Sequence, residues 1–267
     1  MANEGWDNRT FRLGDEMLVR LPSAAPYALA VDKEQRWLPI LAPQLPLSIP
    51  VPLAQGSPGE GYPHEWSVYG WLRGEPASPA NIASLTDFAT DLAAFLVALQ
   101  GVDPTDAPPP GQHNWFRGGP LAAYDKVTRS SLATLQGRVD TELALQIWRS
   151  ALRAPWDERV VWFHGDVAHG NLLVQDGALA AVIDFGTCGV GDPACDMAVA
   201  WTMFSGESRS AFRDTLSVNS ATWARGRGWA LWKALAGCAG AVRDGEPEPA
   251  DALRTLDQIF TEYQQSS

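Results

Sequence analysis

Basic residues are scarce in this chain: 20 Lys and Arg stand against 31 Asp and Glu, a net charge of -11 over 267 residues. Such a chain lacks the broad positive field that nucleic acid phosphates or anionic lipid demand. Neither partner is expected, whereas a cationic small molecule would be attracted. Cysteine is scarce too. Cys188, Cys195 and Cys238 form no CxxC pair, and an odd number of thiols without an apolar leader reads as reduced cysteines in a cytoplasmic protein. No apolar run approaches the ~20 residues that span a bilayer, so no membrane segment is expected.

Core material, in contrast, is ample. Hydrophobic residues make up 46% and charged ones 19%, which is globular composition, and 267 residues suit two modest folding units. Residues 1–72 read as a small β-rich lobe with one helix. "TFRLGDEMLVRLP" is a hairpin about Gly14-Asp15, "VDKEQRWLPILAP" has helical spacing, and strands are expected near Ile49 to Ala54 and Glu65 to Leu72. The prolines around these two strands imply edge positions. Residues 73–267 read as a larger, mainly helical lobe. Its clearest helix places Leu85, Phe88, Leu92, Phe95, Leu96 and Leu99 on one face behind a Ser84 cap. Further helical sequence runs from Pro120 to Ala154, Pro193 to Phe204, Ala221 to Ala239 and Pro249 to Tyr263. The fold class expected is α+β in two lobes.

One segment carries more polar chemistry than folding needs: "WFHGDVAHGNLLVQDGALAAVIDFG", residues 162–186. "NLLV" and "ALAAVIDFG" read as a hairpin turning at Gln175-Asp176-Gly177, with "VVWFHGD" as a further strand. Folding back at that turn brings Asn171 and Asp184 together at the open end, beside the loop bearing Asp166. Two carboxylates and an amide around one point repel or stay unsatisfied unless a cation or hydrogen-bond donors sit among them. Mg2+ suits that set, because it takes hard oxygen ligands and few protein groups, leaving positions for water and nucleotide phosphates.

The pattern His164-Gly165-Asp166, then Asn171, then Asp184-Phe185-Gly186 resembles the catalytic signature of protein-kinase-like phosphotransferases. With "GVGDPACDMA" at 189–198 it looks more closely like the aminoglycoside phosphotransferase family. The resemblance implies a two-lobed protein-kinase-like fold, ATP and Mg2+ as cofactors, and a small-molecule hydroxyl as acceptor. It implies Asp166 as catalytic base or hydroxyl-positioning group and Asn171 and Asp184 as metal ligands. His164 and Asp196 become structural supports of the site. In the small lobe, Arg20 of "MLVRLP" falls where the family places a basic residue and Glu34 where a helix supplies its partner. Val68, Tyr69 and Trp71 of "WSVYGWL" fall at the strand whose backbone would meet the adenine.

Other features restrict the reading. "GWDNRTFRLG" has only Gly5 and Gly14, not a Gly-rich run, and little chain precedes it to form the expected first strand. Gly165 stands where protein kinases carry Arg, and nine residues separate Gly186 from Asp196, too few for an activation loop with a peptide platform. A small acceptor is expected, an aminoglycoside first, with macrolides, amino alcohols and sugar amines as alternatives. A non-catalytic nucleotide-binding protein of the same fold is the other class. Asp192, Asp244, Glu246 and Glu248 are the acidic candidates for acceptor contacts, and the oligomeric state is not legible.

Overall fold

The computed structural model describes residues 7–266. The chain begins with the antiparallel hairpin β1 (Asn8–Leu13) and β2 (Met17–Pro22), in register from Leu13 opposite Met17 to Asn8 opposite Pro22. Gly14 stands in the turn at φ 62°, a left-handed conformation that costs glycine nothing. Helix α1 (Ala25–Leu41) follows, then β3 (Pro52–Gly56) and β4 (Trp66–Gly70). The four strands lie in the order β1-β2-β4-β3, so the proline-flanked β3 takes an edge as expected. β4, also expected at an edge, lies instead inside the sheet, because its residues 66–70 carry no proline and pair on both sides. Helix α1 starts six residues before the expected Val31, because Pro26 presets the first helical turn. Gln35 of α1 fastens it to the sheet through the Ser67 hydroxyl at 2.9 Å and the Ala54 carbonyl at 3.0 Å.

A two-residue strand, β5 (Glu75–Pro76), leads into the second lobe. There α2 (Leu85–Gly101) is capped by the Ser84 hydroxyl and buries Leu92, Phe95, Leu96 and Leu99 completely. Helices α3 (Asp125–Thr134) and α4 (Thr141–Arg153) follow, the latter ending ahead of Pro155. β6 (Val161–Phe163) comes next, then the hairpin β7 (Leu172–Gln175) and β8 (Ala178–Val182). Gln175 faces Ala178, so Asp176 (φ 53°) and Gly177 (φ 84°) form the two-residue turn, both left-handed as such a hairpin requires.

Residues 162–186 are therefore not one continuous ribbon. β6 leaves β7 and β8 and pairs antiparallel with β9 (Gly189–Gly191), forming a separate two-stranded sheet across the site. After a 3-10 turn at Pro193–Ala198 come α5 (Val199–Thr202), α6 (Gly206–Leu216), α7 (Ser220–Arg243) and α8 (Ala250–Ser266). The sequence reading lacked α6. Its buried residues are Ser208, Phe212 and Leu216, about one per turn, too sparse for a periodic signal, and its place is set by packing of Phe212 on Phe204 and of Phe204 on Phe88. Cys188, Cys195 and Cys238 are all free and buried. Among the described residues no helix is long and apolar enough to cross a membrane.

Helix α7 runs through the centre of the second lobe, and Gly226 lets it approach the 193–198 turn. A Cβ there would stand 2.3 Å from the Met197 Cβ. Gly226→Val should therefore destabilise the protein by about 1–3 kcal/mol, since the small helix-propensity gain is outweighed by overpacking. An unchanged urea midpoint would show that the helix does not depend on this contact.

Candidate active site

The open end of the β7–β8 hairpin sets the first two side chains. The Ile183 N–H donates to the Asn171 carbonyl at 2.8 Å, extending the ladder by one pair so that Asn171 and Asp184 begin from adjacent backbone. Asp184 itself takes a left-handed conformation at φ 65°, a position that Asp tolerates better than most residues. The loop bearing Asp166 is held against this end from below. Asp196, fully buried, accepts the His164 N–H at 2.8 Å and the Gly165 N–H at 2.7 Å, one on each oxygen. Burial raises the Asp196 pKa, with His164 and the two N–H groups working against it. The His164 ring completes the brace: its Nδ1 accepts the Asp166 N–H at 3.3 Å, and its Nε2 lies 3.0 Å from the Ile183 carbonyl. Those partners assign the tautomer with hydrogen on Nε2.

Gly165 cannot carry a side chain here. It sits at φ 90°, and a Cβ would approach the Thr187 carbonyl to 2.6 Å. Asn171 donates through Nδ2 to the Asp166 carbonyl at 2.9 Å, which leaves its amide oxygen as an acceptor. The same nitrogen is 3.5 Å from Asp166 Oδ2. The other Asp166 oxygen, Oδ1, accepts from Lys233 of α7 at 2.6 Å. Asp166 is thus held by its backbone, while its carboxylate stays at the surface of the cleft.

Across the cleft, Arg20 donates from Nη2 to Asp184 Oδ1 at 2.8 Å, and its Nη1 stands 3.9 Å from Glu34 Oε1. Asp7 adds a third carboxylate 4.0 Å from the same guanidinium. Burial works against the Arg20 cation, but Asp184 and Glu34 more than offset it and raise its pKa. Burial likewise opposes the Asp184 charge, yet the attraction and hydrogen bond of Arg20 hold its pKa below the usual carboxylate value. Glu34 and Asp7 go the other way, each raised chiefly by burial, which Arg20 offsets only in part.

The adenine contacts expected of Val68 and Tyr69 need correction. β4 lies between β2 and β3, so the backbone of residues 66–70 is paired on both edges, and Val68 and Tyr69 are buried. The Tyr69 hydroxyl donates to Glu34 Oε2 and thereby fixes the carboxylate that faces Arg20. The Trp71 N–H is likewise taken by the Glu16 carbonyl at 2.7 Å, while its ring lies 4.6 Å below the Arg12 guanidinium. Asp192 is corrected as well. It is buried, it caps the 193–198 turn, and Arg225 grips it with Nε at 2.6 Å and Nη2 at 3.0 Å, so it is unavailable to an acceptor. Glu248 is paired with Arg138 at 2.9 Å. Asp244 caps the C-terminal end of α7, and it and Glu246 are exposed.

Three site residues carried no sequence signal. Lys33, buried on α1, donates to the Gly186 carbonyl at 2.7 Å and the Cys188 carbonyl at 3.0 Å, tying the small lobe's helix to the loop after Asp184. Arg117 donates to the Gly165 carbonyl at 3.1 Å while stacked against Tyr124, Trp229 and Trp232. Lys233 is the third. Each is a lone basic residue outside any motif, and only tertiary contact reveals it. Arg20, Glu34, Tyr69 and Gly186 line one pocket together with Asp7 and Trp115.

A family model described as the phosphotransferase enzyme family matches residues 2–229. The chain belongs to that family. Its members' protein-kinase-like fold accounts for the two lobes, and the chain is a phosphotransferase with a hydroxyl acceptor. No curated protein matches it. Among solved structures it is similar to a mutant aminoglycoside 2'-phosphotransferase-IIIa in complex with GDP, at 16% identity and TM-score 0.73, covering 99% of this chain and 91% of that one. It is similar to a kanamycin and GDP complex of an aminoglycoside phosphotransferase, at 15% identity and TM-score 0.70, covering 100% and 93%. It is also similar to a macrolide 2'-phosphotransferase from Brachybacterium faecium, at 20% identity and TM-score 0.57, covering 96% and 91%. At such identities the likeness is one of fold.

In this phosphotransferase the two hydrogen bonds from His164 and Gly165 to Asp196 hold the loop that presents Asp166. Asp196→Asn replaces one acceptor oxygen with an N–H2 group facing a buried N–H, and a buried donor left unpaired costs about 1–3 kcal/mol. The variant should melt at lower temperature and transfer phosphate at least about tenfold more slowly. Wild-type values of both would refute the bracing role.

Proposed function

We propose that this phosphotransferase moves the γ-phosphoryl group of ATP to a hydroxyl of a small molecule, with Asp166 facing that hydroxyl. The observation that carries the reading is the convergence of Asp166, Asn171 and Asp184 at one end of the β7–β8 hairpin, opposite Arg20. A base must lie within hydrogen-bond reach of the proton it takes, and the half-exposed Asp166 carboxylate, fixed by its own backbone, meets that need. Arg20 supplies a cation for the nucleotide phosphates, and Glu34, fixed by Tyr69, keeps it extended into the cleft. Catalysis on this reading comes from alignment and charge neutralisation, with no covalent intermediate on the protein.

The donor set also fits Mg2+. The Asn171 amide oxygen and the Asp184 carboxylate are hard oxygen ligands, and a carboxylate held by Arg20 and the Gly186 backbone retains further acceptor capacity. Bound there, the ion would neutralise phosphate charge.

For the acceptor, an aminoglycoside is the first reading, supported by the chain's net charge of -11 and by the kanamycin, gentamicin and streptomycin complexes among the structures of similar fold. A macrolide is the second. Trp115 and Phe116 are 44% and 49% exposed, adjacent, and both left-handed at φ 55° and 58°. Arg117, the next residue, contacts the catalytic loop. Bulky residues in that conformation cost of order 1–3 kcal/mol each, and although the Trp115 ring meets Tyr27 at 5.7 Å, about half of each residue stays open to solvent. An apolar acceptor face would bury them.

A coupled ADP-release screen over aminoglycosides, macrolides and small amino alcohols, run with ATP and with GTP, tests the reading. Turnover is expected with one acceptor class. Asp166→Ala should keep nucleotide binding and lose transfer by at least about a hundredfold, whereas Asp184→Ala should lose metal-dependent nucleotide binding as well. No turnover with any acceptor, together with no thermal shift from ATP and Mg2+, would favour a non-catalytic nucleotide-binding protein.

A further inference from the structure

We infer that Lys233 is a positioning residue for phosphoryl transfer: from α7 it holds one oxygen of Asp166 and thereby presents the other to the acceptor hydroxyl. The inference rests on the reading of Asp166 as the hydroxyl-facing group. Lys233 Nζ lies 2.6 Å from Asp166 Oδ1, the short distance of a charge-assisted hydrogen bond.

The pair is a poor candidate for a structural element. Its side chains are 45% and 36% exposed, and an exposed ion pair between long side chains contributes little to stability. What it does accomplish is geometric. The hydrogen bonds of the catalytic loop described above, those of His164, Gly165 and Asp196, all fix Asp166 through the backbone. Asn171 Nδ2 reaches the Asp166 carboxylate at 3.5 Å, the limit of a hydrogen bond, because it is committed to the Asp166 carbonyl. Lys233 is therefore the strong restraint on the carboxylate itself, and it leaves Oδ2 for the incoming hydroxyl.

The lysine is well placed to act as that restraint because its own backbone is immobile. α7 is 24 residues long and buries Trp229, Ala230, Leu231, Ala234 and Leu235 on either side of Lys233. The same stretch of helix is fastened to the catalytic loop a second time, since Trp229 and Trp232 stack on Arg117, which donates to the Gly165 carbonyl. Two consecutive loop residues, Gly165 and Asp166, are thus tied to one helical turn. Lys233 acts through Asp166 and belongs to the site without being part of its sequence motif.

Lys233→Met keeps the aliphatic stem and removes the ammonium; Lys233→Arg keeps a cation with donors. In steady-state assays with the best acceptor from the screen, Lys233→Met should lower kcat by about 10- to 100-fold and leave the nucleotide KM within about twofold. Its melting temperature should stay within about 2 °C of the parent, and Lys233→Arg should recover most of the lost rate. Asp166→Ala is assayed alongside. An inactive Asp166→Ala with a fully active Lys233→Met would overturn the role of Lys233 alone. Parental transfer by Asp166→Ala would remove the reading of Asp166 and this inference with it. A Lys233→Met protein that melts several degrees lower and binds nucleotide poorly would mark the lysine as merely structural and also overturn the inference.

Discussion

The cleft is organised around one guanidinium. Arg20 projects from β2, the second strand of the sheet, and meets Asp184 from the β8 end of the hairpin, Glu34 from α1 and Asp7 from the start of the described chain. Charges taken out of water are costly unless paired, so each of these groups is where it is because the others are. The consequences are read in opposite shifts. Asp184, closest to Arg20, is held ionised, while burial raises Glu34 and Asp7. Surplus negative charge packed around one buried cation is an arrangement in which a further cation is welcome, and a nucleotide carrying a metal brings one together with phosphates that Arg20 can meet.

Around this centre the two lobes are joined by polar contacts between buried groups. Lys33 reaches from α1 to the carbonyls of Gly186 and Cys188, so the helix that carries Glu34 also holds the loop that follows Asp184. On the other side, Asp196 holds the backbone of His164 and Gly165, and Asp192 is gripped by Arg225 from α7. The chain after β6 would otherwise leave the His164 and Gly165 N–H groups unpaired; the two oxygens of Asp196 satisfy them and fix the direction in which Asp166 leaves the chain. Rigid positioning is what phosphoryl transfer asks of a protein, since little covalent chemistry is left for it to do.

The sequence disclosed the chemistry more readily than the geometry. Asn171 and Asp184 stand out because a hairpin turn at Asp176-Gly177 dictates their convergence, and turn chemistry is local, whereas His164 and Asp166 are legible from their motif and placed by β6 and Asp196. Arg20 and Glu34 lie 14 positions apart on a strand and the next helix, and their approach follows from that short connection. Lys233 and Asp166 are separated by 67 positions and Lys33 and Gly186 by 153, and no periodicity links residues so distant. α6 has few buried residues and so leaves no periodic signal, and a strand's sequence does not reveal that Tyr69 turns its hydroxyl to Glu34 of α1. The backbone of Val68 and Tyr69 is taken for a related reason: both residues lie in a strand with partners on both edges.

The central claim is that the cleft at Arg20 and Asp184 is the nucleotide site. Calorimetric titration of ATP with Mg2+ into the parent and into Arg20→Met tests it most directly, because removing one partner of a charged hydrogen bond costs about 1.5–3 kcal/mol. The account expects the variant to bind at least about tenfold more weakly while remaining folded. Equal affinity for the two proteins would contradict it.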